Sequence, residues 1–121
     1  MVRTHGLTHL ALKVSDPDRS LRFYRAVFGV QEYFRDANSI QAIGPGPFDV
    51  LAFERASSGA GLPGGIAHFG FRLTTPADID TAVDESLAAG GRLLRRGEFA
   101  PGLPFAYIAD PDGYEIEIWF E

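Results

Sequence analysis

Cysteine is absent from all 121 residues, which removes disulfides, thiolate metal ligands and cysteine nucleophiles in one step. Positive charge is sparse: ten arginines and one lysine, Lys13, are scattered along the chain, and acids outweigh them to a formal net charge of −5. Phosphate binding needs a concentrated positive face, so nucleic acid is not an expected partner. No apolar run approaches the roughly 20 residues of a membrane helix. The opening Met-Val-Arg-Thr-His lacks the apolar stretch of a secretory leader. These absences lead to the expectation of a cytoplasmic protein with no membrane partner. What is present, 45% hydrophobic residues with ten Phe among them, suffices for one globular domain over 1–121.

The chain contains itself twice. Thr8-His9-Leu10-Ala11-Leu12-Lys13-Val14 aligns with Ala67-His68-Phe69-Gly70-Phe71-Arg72-Leu73 at an offset of 59 residues. In each copy small or polar residues alternate with large apolar ones, the period of a half-buried strand. His9, Ala11 and Lys13 share one face of the first copy, as His68, Gly70 and Arg72 do of the second. Asp16-Pro17 and Thr75-Pro76 then follow their histidines at the same distance, an N-cap before a proline suited to the first helical position. Helical spacing predicts that Leu21, Tyr24 and Phe28 are buried in the first helix and Ile79, Val83 and Leu87 in the second. Gly29 and Gly90 mark the helix ends.

Strands are expected at 30–35, 39–44 and 48–54 and again at 92–96, 104–109 and 114–120. Each half therefore reads β-α-β-β-β: module one spans 1–56, a Gly- and Pro-rich linker 57–65, and module two 66–121. Neither half could bury its apolar faces alone. The expected fold class is α+β, with the two modules forming one cup-shaped curved sheet and the helices outside.

The last strand carries Glu115, Glu117 and Trp119 on one face and Ile116, Ile118 and Phe120 on the other, its register fixed by the turn Asp110-Pro111-Asp112-Gly113. Two carboxylates on an inward face are costly unless something binds them. Two histidines at equivalent places in a repeat, together with a late acid, form a metal-site pattern: His9, His68 and Glu117. Three protein ligands leave positions open for water or substrate. Such a set suits Fe, Mn, Co, Ni or Zn. The competing reading is that each histidine is a hydrogen-bonded structural residue, and that Glu117 is a solvated acid. His5 lies at the start of the chain and is expected to be exposed.

These residues also carry a resemblance to the vicinal oxygen chelate superfamily, which includes glyoxalase I, extradiol dioxygenases, fosfomycin transferases and bleomycin-binding proteins. The opening strand matches, as do Ser20-Leu21-Arg22-Phe23-Tyr24, Phe28-Gly29, Ala67-His68-Phe69-Gly70-Phe71 and Asp110-Pro111-Asp112-Gly113-Tyr114-Glu115-Ile116-Glu117. The resemblance implies paired βαβββ modules and one divalent metal on His9, His68 and Glu117. It implies a small substrate that chelates the metal through adjacent oxygens, in a reaction of lyase, isomerase or dioxygenase type. Glu117 and Tyr107 would be the catalytic residues, although Tyr107 reads equally well as a core aromatic. Lys13 and Arg72 would hold an anionic group, with Trp119, Phe53 and Phe105 as pocket wall. A homodimer is expected, module one of one chain pairing with module two of another.

Departures narrow the reaction. The fourth, acidic ligand of glyoxalase I would fall on Val50 or Leu51, neither a donor, and Asp49 would serve only if the register slipped. The extradiol dioxygenase histidine would fall within Glu98-Phe99-Ala100-Pro101, which has none. The chain ends at Glu121, short of the cationic residues of the fosfomycin transferases. The alternative is a metal-free protein that sequesters an aromatic antibiotic or metabolite.

Overall fold

Asp16, two residues beyond the first strand, begins the first helix, its Oδ1 accepting the N–H groups of Asp18 at 3.0 Å and Arg19 at 3.3 Å. That side chain satisfies two of the orphan donors that every helix start leaves. The helix stops at Gly29, whose φ of 69° is the left-handed conformation that glycine adopts without strain. The computed structural model describes residues 1–121 and divides them into two units, Met1–Ala60 and Gly61–Glu121.

The first unit runs β1 (His9–Val14), α1 (Pro17–Phe28), β2 (Gln31–Arg35), β3 (Ser39–Ile43) and β4 (Val50–Arg55). Its sheet has the order β1-β4-β3-β2, with β1 parallel to β4 and the other pairs antiparallel. Leu21, Phe23 and Tyr24 of α1 are buried with Leu12, Val14, Ile40 and Phe53 of the sheet. Tyr24 and Phe53 lie with ring centroids 5.1 Å apart, and each such side chain contributes roughly 1.5–3 kcal/mol by leaving water.

The second unit repeats the plan: β5 (Phe69–Arg72), a 3₁₀ turn (Pro76–Asp78), α2 (Ile79–Ala88), β6 (Arg92–Glu98), β7 (Pro104–Ala109) and β8 (Glu115–Trp119). The sheet order is β5-β8-β7-β6, with β5 parallel to β8. The chain is thus α+β, two βαβββ modules with a four-stranded mixed sheet in each. The repeat extends to an irregularity. The β2–β3 ladder slips between Glu32 and Phe34, and the β6–β7 ladder slips at the corresponding place, between Leu93 and Arg95.

Three expectations need correction. Thr75 makes no side-chain capping bond, because the chain enters α2 through the 3₁₀ turn. The regular helix then starts at Ile79 and buries Ile79, Val83 and Ser86, while Leu87 is 46% exposed. Eight residues from Ile79, Leu87 is rotated about 80° off the buried line; Ser86 lies on that line and donates its hydroxyl to the Ala82 carbonyl at 2.7 Å. Phe53 is a core ring, 0% exposed, and not a pocket wall. It pairs with Leu12, so it lies on the sheet face opposite His9 and Ala11.

Candidate functional site

The turn before β8 sets the site's register. Asp110, 3% exposed, accepts at Oδ1 the N–H groups of Asp112, Gly113 and Tyr114, each at 2.9 Å. Gly113, at φ 104°, completes the turn. β8 then presents Glu115, Glu117 and Trp119 on one face, with Ile116 and Ile118 fully buried behind them. Across the ladders, Glu117 pairs with Gly70 of β5 and with Tyr107 of β7, and Trp119 pairs with Arg72 and Phe105.

His68 stands one residue ahead of β5, and its Nε2 lies 3.1 Å from Glu117 Oε2. The Tyr107 ring meets the His68 ring edge-on, centroids 5.1 Å apart, and its hydroxyl faces the Glu117 carboxylate. Burial, then the hydrogen bond and negative charge of Glu117, push the Tyr107 phenol above its usual range, with Arg95 opposing them. The phenol therefore keeps its proton at neutral pH and can donate it. Arg72 stacks over Trp119 at 5.2 Å, and Phe105 lies 5.7 Å from Tyr107 and 4.7 Å from Phe99. Gly97 and Gly70 leave room for these rings: a Cβ on Gly97 would meet Phe105 Cζ at 2.9 Å, and one on Gly70 would meet Trp119 Nε1 at 3.2 Å.

The structure thus brings His68, Glu117, Tyr107, Phe105, Trp119 and Arg72 onto one face of the second sheet. His9 and Lys13 lie in the first unit, exposed on β1, His9 pairing with Val50 and Lys13 with Glu54. No group of three or more His, Asp or Glu side chains gathers within the chain as a metal site. The donor set nonetheless fits a divalent ion. Two neighbouring ligands at about 2.1 Å from a metal and at right angles are about 3 Å apart, the spacing of His68 Nε2 and Glu117 Oε2.

The ladder identifies the module-one position that matches Glu117. Glu117 pairs with the residue two beyond His68; in module one the residue two beyond His9, Ala11, pairs with Ala52. The equivalent position is Ala52, not Val50 or Leu51, and it also lacks a donor. Asp49 lies outside β4, its carboxylate against Gly44 and Gly46. Sequence reasoning missed Arg95, whose guanidinium covers the Tyr107 ring at 3.8 Å and pairs with Glu115 at 2.5 Å. A ladder slip reorients it, and strand alternation alone does not reveal such a slip.

Comparison with known proteins gives a consistent result. The family model described as "Glyoxalase/Bleomycin resistance protein/Dioxygenase superfamily" matches residues 6–118. The chain is 30% identical over 124 residues to a lactoylglutathione lyase of Arabidopsis thaliana, covering 91% of this chain but 42% of that protein, so it spans about two-fifths of the plant enzyme's length. It is 29% identical over 126 residues to a probable lactoylglutathione lyase of Vibrio cholerae, covering 94% of this chain and 89% of that one. The crystal structure of a glyoxalase-related enzyme from Fulvimarina pelagi superimposes with a TM-score of 0.80 at 26% identity, covering 98% of this chain and 89% of the other.

Proposed function

Because the chain belongs to the Glyoxalase/Bleomycin resistance protein/Dioxygenase superfamily, we propose that it is a divalent-metal-dependent enzyme acting on a small substrate with two adjacent oxygens, by lyase-type chemistry. The observation that carries this reading is the His68–Glu117 pair at 3.1 Å on a face that also holds a proton-bearing phenol. In the proposed site His68 and Glu117 hold the ion, and His9 is the third protein ligand. When bound, the ion supplies Lewis-acid polarisation of the chelating oxygens. Tyr107 holds a proton at its hydroxyl, poised to donate to a substrate oxygen. Arg72, fixed over Trp119, and Lys13 attract an anionic substituent, while Phe105 and Trp119 exclude water.

The proposed assembly is a homodimer, with module one of one chain facing module two of the second. Each site would then draw its third ligand from His9 of the partner subunit.

Purified without chelator, the protein should hold close to one divalent ion per chain, and His68→Ala should lose it. Equal trace metal in both would sink the assignment.

One observation favours a second reading. The rings of Phe99, Phe105, Tyr107 and Trp119 on one face suit stacking of a flat compound, as in a metal-free sequestering protein. That protein would bind planar aromatics equally well after chelator treatment; the enzyme would not.

A further inference from the structure

β8 sets two carboxylates, Glu115 and Glu117, on the same face, about 7 Å apart along the strand. The register that pairs Phe69 with Ile116 and Gly70 with Glu117 sets His68 level with Glu115, yet its Nε2 reaches Glu117. Both would attract one cation, yet the structure treats them differently. Glu117 faces His68 and Tyr107, whereas Glu115 is held by Arg95 at 2.5 Å. The same guanidinium lies 3.8 Å above the Tyr107 ring.

Arg95 arrives there through the bulge. Leu93 pairs with Ile108 and Arg95 with Tyr107, leaving Leu94 as the extra residue. Unbroken alternation would put Leu94 opposite Tyr107 and turn Arg95 to the helix side. Instead that side receives Arg96, which pairs with Asp80 of α2 at 2.5 Å.

Resting on the metal-dependent reading above, we propose that Arg95 is a positioning residue that withholds Glu115 from the metal, so that Glu117 alone of the two β8 carboxylates ligates beside His68. An ordinary surface ion pair contributes little, about 0–1 kcal/mol, and its loss would leave metal binding as it was. A carboxylate held in reserve behaves differently. Once Arg95 no longer engages it, Glu115 becomes available, and it should compensate for the loss of Glu117.

The test measures Co(II) uptake by metal-stripped protein, with Co(II) alone as probe. Glu117→Ala should weaken binding at least tenfold. Adding Arg95→Gln to Glu117→Ala should recover several-fold of that loss, and adding Glu115→Gln as well should abolish the recovery. Unfolding cannot produce a gain, so the sign separates positioning from damage. Glu115→Gln alone, with Arg95 intact, should change Co(II) affinity less than twofold. The proposal is overturned by an Arg95→Gln/Glu117→Ala protein that binds no tighter than Glu117→Ala, or by a tenfold loss in Glu115→Gln. Wild type that takes up no Co(II) overturns the metal reading itself and the proposal with it.

Discussion

His68 Nε2 and Glu117 Oε2 lie 3.1 Å apart although 49 positions separate the two residues in the chain. The parallel pairing of β5 with β8 brings them together, and the Asp110 turn sets the register in which they meet. Metal binding by this pair should depend on pH in one direction. The imidazole must be neutral and the carboxylate ionised to ligate, so affinity falls on acidification. Calorimetric Zn(II) binding at a series of pH values checks this, and affinity that stays level into the acid range would rule out imidazole ligation.

Tyr107 should ionise above the ordinary tyrosine range in metal-free protein. Its phenol is raised above the ordinary value of 10.0 by burial and by Glu117. A raised folded-state value means that the fold favours the protonated form. That contribution to stability is present below the unfolded value and is lost as pH rises through the folded one. Absorbance at 295 nm should show one raised step vanish in Tyr107→Phe and that step move to lower pH in Glu117→Gln. An unmoved step in Glu117→Gln would show that the two groups do not interact.

Phe53→Ala should destabilise the protein by about 3–5 kcal/mol, as expected for an aromatic ring removed from a packed core. Leu87→Ser, at an exposed helix position, should stay within about 0.5 kcal/mol. Urea denaturation of both variants measures the contrast. A mild Phe53→Ala would return that ring to a pocket wall.

Ala52 occupies the module-one position that Glu117 occupies in module two. A carboxylate placed there by Ala52→Glu should slow Co(II) release from the metal-loaded protein at least tenfold, by completing a four-ligand set. Unchanged release would show that the two modules do not present equivalent positions to the metal.

Mixing tests the assembly. His9→Ala and Glu117→Ala homodimers, each defective in metal binding, should regenerate one intact site per mixed dimer after unfolding and refolding together. Sites built within single chains would give no recovery, and a monomer by sedimentation would end the idea.

Much of this was legible in the sequence, for a physical reason. Alternation and helical spacing are local, so the strand faces of His9, His68 and Glu117, the Asp16 cap and the β-α-β-β-β order could be read directly. Phe53 misled because Leu51, Ala52 and Phe53 are all buried, and a strand covered on both sides loses its alternation. Leu87 misled because each step of four residues drifts about 40° around a helix, so two such steps from Ile79 leave the buried line. Ala52 needed the ladder, which pairs residues distant in the chain. Arg95 needed the bulge, which leaves no mark on hydrophobic pattern.

That bulge makes β6 behave like a message with a reading frame. Deleting Leu94 would remove the extra residue and restore unbroken pairing with β7, with Arg95 still opposite Tyr107 and Arg96 still on the side of α2. Closing the ladder without a deletion would instead put Leu94 opposite Tyr107 and move both cations off their faces together, since they are consecutive residues of one strand. Among relatives, a single-residue gap at the position of Leu94 should therefore leave both cations in place, as gaps in the 57–65 linker should.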